Sequence, residues 1–246
     1  MKLVGIAIAL AAVVALGALG GCANESRNDS IRAANKGAEA YGKKEIETAI
    51  SNYKRAVELW RAHYYIGRIY RDTGRAKEAA EELTRTLQAA PTDPGPWVAL
   101  AELYRQWDYT DQAIQIAEAG TAVVPGITEK ADIWFEVGMG YDDKRLYDKA
   151  IDAYTKSLEA KRDKHTAKFQ RGQAYYRKND YGNAKRDLEE FSKTGGVSVQ
   201  FEKQQAAKML VDIAAKSVVP GSTPVEQPKS PEDVVKKGKG RGKRGR

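Results

Sequence analysis

Few residues in this sequence have types and spacings that suit catalysis or metal binding. The 246-residue chain has two histidines, and neither His63 nor His165 is close in sequence to a cysteine or to the other histidine. Asp142 and Asp143 are adjacent rather than spaced like a ligand set, and Gly138-Met139-Gly140 lacks the strand and phosphate-binding turn of a nucleotide loop. We therefore expect His63 to be a packed side chain and Asp142-Asp143 to lie at a solvated helix end. The sequence therefore predicts a protein that is not an enzyme and has no catalytic residue, metal or cofactor.

The one cysteine lies in a different chemical context, at the end of an apolar run. Lys2 is followed by uncharged residues from 3 to 21, and the run closes with Leu19-Gly20-Gly21-Cys22. This resembles the lipobox of bacterial lipoprotein signals, where an aliphatic and two small residues precede a lipid-carrying cysteine. The resemblance implies a signal peptide at 1–21, and acylation of Cys22 (palmitate-type) that attaches the protein to a membrane. The alternatives are a plain signal peptide or an uncleaved transmembrane helix, because the run is just long enough to span a bilayer.

The residue after the cysteine bears on localisation. It is Ala23, not Asp. By resemblance to the sorting rule of enteric bacteria, this implies the outer membrane of a bacterial cell envelope, with the lipid-anchored protein facing the periplasm. Residues 22–29 are then a short polar tether between the lipid and the folded body.

Positive charge is concentrated at the other end of the chain. The net charge is +8, residues 218–246 carry eight positive and three negative groups, and seven of the last eleven residues are Lys or Arg. The segment has too little apolar content to fold, so we expect a disordered, flexible polycation. It either contacts an anionic envelope polymer or is a solubilising tail without a target. A cytoplasmic nucleic-acid-binding protein would also use such a tail, but the lipobox argues against that class, so no nucleic acid is expected.

Small residues recur with a fixed spacing through the middle of the chain. A Gly or Ala is followed 12 residues later by an Ala, five times. These pairs are Gly37/Ala49, Gly67/Ala79, Ala101/Ala113, Gly138/Ala150 and Gly172/Ala184. An aromatic residue often follows the first member by three, and an aromatic residue or Leu follows the second by four, as at Tyr53, Leu83, Tyr154 and Leu188. The pattern predicts paired helices that cross at the small residues.

This pattern resembles the tetratricopeptide repeat, a helix–turn–helix unit of 34 residues. The resemblance implies an all-α, right-handed superhelical solenoid of about five repeats plus a C-terminal capping helix. We place the units at 30–59, 60–93, 94–127, 131–164 and 165–198, within a repeat domain at 30–198. Large residues are expected to fill the space between one unit and the next.

Two irregularities and a cap are expected. Unit one is four residues short, which predicts an abbreviated turn near Leu59-Trp60, and residues 127–130 lengthen the connection between units three and four. Either change is expected to bend the superhelix. Residues 199–217 predict an amphipathic helix that covers the last apolar face of the solenoid. Its expected apolar side consists of Phe201, Met209, Leu210 and Ile213.

The resemblance also implies a peptide-binding groove on the concave face, lined by positions 5, 9 and 12 of the first helix of each unit. Transferred by register, the groove residues are Tyr64, Val98, Phe135 and Phe169; Arg68, Glu102, Met139 and Gln173; and Arg71, Arg105 and Tyr176. Tyr64, Phe135 and Phe169 are the expected apolar anchors, and the three arginines are the expected charged contacts. The alternative is that these are partly packed surface residues. A chaperone-type carboxylate clamp has Lys at position 5 and Asn at position 9, and this chain has neither. We therefore do not expect the groove to bind the acidic C-terminus of a partner.

These observations predict a protein-binding scaffold at the cell envelope. In layout the chain resembles the pilotin lipoproteins of type IV pilus secretins, which pair a lipobox with such repeats, and more loosely the repeat lipoprotein of the β-barrel assembly machinery. The expected partner is an envelope protein or peptide segment in the concave groove, whose assembly or localisation the scaffold assists. The alternative is an adaptor that recruits a cell-wall enzyme, with the basic tail on anionic envelope polymers.

Overall fold

A computed structural model describes residues 22–56, 60–194 and 199–217. The predicted signal peptide, the abbreviated turn at Leu59 and the basic tail lie outside the described residues. In the described ranges the chain forms eleven α-helices and no strand. They are α1 (Cys22–Gly42), α2 (Ile46–Arg55), α3 (Trp60–Asp72), α4 (Ala76–Ala89), α5 (Pro94–Gln106), α6 (Thr110–Val123), α7 (Ala131–Asp143), α8 (Tyr147–Ala160), α9 (His165–Arg177), α10 (Tyr181–Ser192) and α11 (Gln200–Ser217).

The first ten helices form five pairs, and the same turn joins the two helices of every pair. One residue of each turn has a positive φ of 60–77°, at Lys44, Gly74, Asp108, Arg145 and Asn179. The backbone N–H of the following residue donates to the carbonyl five residues earlier, as from Leu146 to Tyr141 at 2.9 Å. This is the Schellman geometry that ends a helix and satisfies its last carbonyls. The recurrence shows that the five pairs are copies of one helix–turn–helix unit, as the solenoid prediction requires.

Within a pair, the two helices approach closely at the predicted small residues. A Cβ atom added to Gly138 of α7 would lie 2.5 Å from the Tyr154 ring of α8, and one added to Gly67 would lie 2.8 Å from Leu83. Ala150 and Ala79, the partners at the 12-residue spacing, are fully buried. Only a side chain of this size permits such a crossing. The small residues of the repeat pattern therefore lie where the first and second helices of a unit cross.

The core consists of apolar layers between successive units. One cluster joins α1–α5, a second joins α5–α8, and a third joins α9 and α10 to α11. The last layer includes Ala206 and Ile213 of α11, both buried. Because α11 packs against α9 and α10, it occupies the place of a sixth first helix and covers the end of the solenoid.

Three details differ from the sequence expectations. Helix α1 begins at Cys22, so residues 22–29, expected as a polar tether, are helical. The longer connection between units three and four forms a 3₁₀ turn at Thr128–Lys130 that runs into α7. Phe201, expected on the apolar side of the cap, is 68% exposed, whereas Ile213 of the same predicted side is buried and Met209 and Leu210 pack against the last apolar layer. Of the described helices, none has the length and apolar character to cross a bilayer.

Candidate functional site

Four of the residues predicted to line the groove surround one depression. Tyr64 of α3, Val98 and Glu102 of α5, and Phe135 of α7 are brought together because the first helices of units two to four lie side by side. The depression has a volume of about 280 Å³, and we call it the central pocket. Its remaining lining residues are Pro94, Gly95, Asp132, Glu136 and Lys164.

The start of α5 shapes one wall of the central pocket. The Asp93 carboxylate accepts a hydrogen bond of 2.9 Å from the Gly95 backbone N–H, and Pro94 is the first residue of the helix. An acidic N-cap followed by proline is a strong helix start. A Cβ atom on Gly95 would lie 3.4 Å from the Tyr64 ring. This is an ordinary van der Waals distance, so the first turn of α5 lies against Tyr64.

Aromatic rings and a lysine form the opposite wall. The Phe135 ring packs at 5.8 Å from the Tyr154 ring, measured between centroids. The Lys164 ammonium lies 4.6 Å from the Phe135 centroid and is ion-paired with Asp132. Across the pocket, the Arg68 guanidinium lies 5.8 Å from the Tyr64 centroid. Both arrangements are of the cation–π type.

The predicted arginine contacts are mostly used inside the protein. Arg71 is ion-paired with Glu102 of the next unit and with Asp72, and its side chain is only 13% exposed. Arg105 faces Glu136 and Asp143, each at 3.5 Å, again in the next unit. Arg71 and Arg105, predicted as charged contacts for a partner, therefore form ion pairs that link successive units. Arg68 stays exposed.

The predicted groove is covered at unit five. Phe169, an expected anchor, is 3% exposed and packs on Phe191 with 4.9 Å between ring centroids. The Gln173 amide donates to Gln205 at 3.3 Å, and the Tyr176 hydroxyl donates to Asp212 at 2.5 Å. Both acceptors belong to α11. Of the groove residues predicted in unit five, Phe169 is therefore buried in the core, and Gln173 and Tyr176 contact the capping helix.

Met139, the remaining predicted groove residue, is half-buried. Its Sδ atom accepts the Tyr154 hydroxyl at 3.3 Å. This contact fixes Met139 against the second helix of its own unit, and Met139 is not among the residues that line the central pocket.

Glu136 is a buried acid that sequence reasoning missed. Its side chain is 4% exposed, and burial raises its pKa to about 7, while Arg105 acts to lower the pKa and Glu102 to raise it. Glu136 Oε2 lies 3.5 Å from Arg105 Nε, yet neither atom has a hydrogen-bond partner in the described part of the chain. Glu136 falls at position 6 of its unit, which is not one of the positions from which the groove was predicted, so the repeat register gave no signal for it.

His63 and Asp142, which were considered as possible catalytic or metal-binding residues, pair with other side chains of the protein. His63 Nδ1 lies 2.6 Å from Glu82 Oε2 in a half-buried pair, in line with a packed histidine. Asp142, expected at a solvated helix end, is instead a buried carboxylate that pairs with Arg177 of the next unit. Among the described residues, no three His, Cys, Asp or Glu side chains are grouped to hold a metal ion.

A larger depression of about 610 Å³ lies between α6, α7 and α8, away from the predicted groove. Two of its aromatic side chains contact charged side chains of the same protein. The Lys156 ammonium lies 4.6 Å from the Trp134 ring, and the Tyr141 hydroxyl donates to Glu118 at 2.6 Å. The central pocket contains four of the predicted groove residues and this depression contains none, so the central pocket is the better candidate site.

Comparison with known proteins identifies the repeats. The tetratricopeptide repeat family model matches residues 35–94 and 129–190. No curated protein matches the chain at a significant level.

Solved structures show the same fold at low identity. The MamA protein is 21% identical with a TM-score of 0.53, covering 80% of this chain and 98% of its own. YrrB, described as a tetratricopeptide repeat protein with an unusual peptide-binding site, is 18% identical with a TM-score of 0.53, covering 80% and 96%. The pilF protein of Pseudomonas aeruginosa is 17% identical with a TM-score of 0.61, covering 82% and 96%. The chain thus contains tetratricopeptide repeats and folds as a tetratricopeptide solenoid.

Proposed function

We propose that this protein is a non-enzymatic scaffold that binds an extended peptide segment of a partner protein in the groove of units two to four. One observation carries the proposal: Tyr64, Val98 and Phe135, from three successive units, converge on the central pocket. Partly exposed aromatic side chains in a depression are typical anchors of protein interfaces. Phe169, the predicted anchor of unit five, is buried, so the proposed groove includes the anchors of units two to four only.

The lipobox supports a site of action at the cell envelope. We propose that Cys22 is acylated, that the mature protein is held on the outer membrane, and that it assists assembly or localisation of an envelope complex such as a pilus secretin. The combination of lipobox and repeats supports this role, as does the fold shared with pilF of Pseudomonas aeruginosa. Seven basic residues among the last eleven favour the alternative of an adaptor that also contacts anionic envelope polymers.

Site-specific crosslinking in cells tests the groove. A photoreactive amino acid at Val98 of the full-length protein, within the central pocket, is expected to capture a partner. The same amino acid at Lys185, exposed on α10, is expected to capture none of it and is the matched control.

A second substitution tests whether capture depends on the apolar anchors. Adding Tyr64→Ala and Phe135→Ala to the Val98 probe is expected to remove the adduct while circular dichroism still shows the helical content. Equal capture at Val98 and Lys185, or capture that survives both alanine substitutions in a folded protein, would move the binding site out of the groove.

A further inference from the structure

The central pocket has an excess of negative charge. Its lining includes three carboxylates, from Glu102, Asp132 and Glu136, against the single ammonium of Lys164. An imbalance of two charges in a partly enclosed depression attracts cations and repels anions, because the low-dielectric walls weaken screening.

The arginines around the pocket do not remove this imbalance. Arg71 pairs with Glu102 and also with Asp72, and Arg105 faces Glu136 and also Asp143. The positive charge of each arginine is thus balanced by one further carboxylate, Asp72 or Asp143, outside the pocket lining. Arg68 on the Tyr64 ring is likewise matched by Asp93, the N-cap of α5. With Glu136 ionised, the excess therefore stays at two negative charges when these neighbouring groups are included.

Glu136 offers an acceptor atom that the protein itself does not satisfy. Its Oε2 atom is ion-paired with Arg105 Nε at 3.5 Å but accepts no hydrogen bond within the described ranges, although the side chain is nearly fully buried and lines the pocket. A buried carboxylate oxygen without a donor is unfavourable, and a charge-assisted hydrogen bond removes that cost. A cationic donor that enters the pocket would supply such a bond.

The pocket's own residues show how a cation is held there. Lys164 places its ammonium against both the Asp132 carboxylate and the face of Phe135, 4.6 Å from the ring centroid. Carboxylate on one side and aromatic ring on the other is a favourable setting for a lysine or arginine head group, with the apolar stem packed on the ring.

We propose that the central pocket binds a lysine or arginine side chain of the partner peptide, with Glu136 and Glu102 as the acceptors and Tyr64, Val98 and Phe135 around its aliphatic stem. This inference rests on the proposed function, because it specifies the residue that the peptide-binding groove selects. A volume of about 280 Å³ suits one long side chain. The selected partner is a segment in which a basic residue is flanked by apolar ones.

A positional-scanning library of octapeptides tests the inference on the full-length protein in detergent micelles. Lysine and arginine are expected to be enriched at one position among retained peptides. The best-retained peptide is then compared with its copy in which norleucine replaces the basic residue. Loss of a charge-assisted hydrogen bond is expected to weaken binding roughly tenfold to a hundredfold.

Glu136→Gln is expected to remove most of the preference for the basic peptide over its norleucine copy. Glu189→Gln, which removes an exposed carboxylate on α10, is the matched control and is expected to keep it. Retention of peptides without Lys or Arg enrichment, or a preference unchanged by Glu136→Gln in a folded protein, would overturn the inference and leave the peptide-binding function standing. Failure to retain any peptide would overturn both.

Discussion

At the residue scale, the buried carboxyl group of Glu136 has a pKa well above the usual value of a glutamate. Glu136 lies on the inner side of α7, and burial raises its pKa from 4.5 to about 7 against the opposing effect of Arg105. The folded state therefore binds a proton on Glu136 in a pH range where the unfolded chain does not. The stability that this proton affords is fully present below pH 4.5 and is lost as pH rises through about 7,.

Glu136→Gln should remove this pH dependence, because the amide does not titrate. We expect the variant to gain stability over the wild type progressively between pH 4.5 and 8, by roughly 3 kcal/mol at the upper end,. Urea unfolding followed by circular dichroism at pH 4, 6 and 8 measures the difference, with Glu189→Gln as the control for net charge. A constant difference across this range would show that Glu136 titrates alike in both states.

At the element scale, each unit depends on a close crossing of its two helices. The side chains opposite the small residues are large and buried, as Tyr154 is opposite Gly138. Tyr154 cannot retreat, because it also packs on Phe135 and donates to Met139. The crossing in unit four therefore positions the wall of the central pocket as well as the helices.

Gly138→Ala should destabilise the protein, because the new methyl group would lie 2.5 Å from the Tyr154 ring. Overpacking of this kind costs typically about 1–3 kcal/mol. Gly182→Ala is the matched control: the nearest atom to its added Cβ is 4.0 Å away, so a gain of up to about 1 kcal/mol in helix stability is expected. Thermal unfolding of both variants checks this pair, and equal melting temperatures would contradict the proposed packing.

At the scale of the whole molecule, the polar links between units and the cap decide which part of the concave face is accessible. Arg71, Arg105 and Arg177 each pair with a carboxylate of a neighbouring unit. At the far end, α11 covers α9 through Gln205 and Asp212. The predicted groove residues that line the central pocket all belong to units two to four.

Anchoring also belongs to this scale, since it places the groove relative to a membrane. Cys22 lies at the first residue of α1, so a lipid there would hold the solenoid by its N-terminal end. We expect Cys22→Ala to abolish labelling by palmitate and to release the protein from the outer-membrane fraction, while Asn28→Ala, an exposed change in the same helix, does neither. Full retention of the Cys22→Ala protein in that fraction would exclude Cys22 as the anchor.

The sequence by itself determined the helix pairs and their crossings. The spacing of Gly138, Ala150 and Tyr154 was sufficient, because these contacts lie within one unit and follow from helical periodicity alone. It also placed Tyr64, Val98 and Phe135 on a common face, since the same position of each unit recurs along a solenoid.

Only the tertiary structure decided which of the inner positions are accessible and which are buried. Phe169 was predicted as a groove anchor and is buried, Arg71 was predicted as a charged contact and is paired within the chain, and Glu136, for which the sequence made no prediction, is buried. Each outcome depends on contacts between side chains 22 to 31 residues apart in sequence, which the relative placement of whole helices brings together. Periodicity assigns a residue to a face of its helix, but the packing of the neighbouring helices decides how much of that face remains in water.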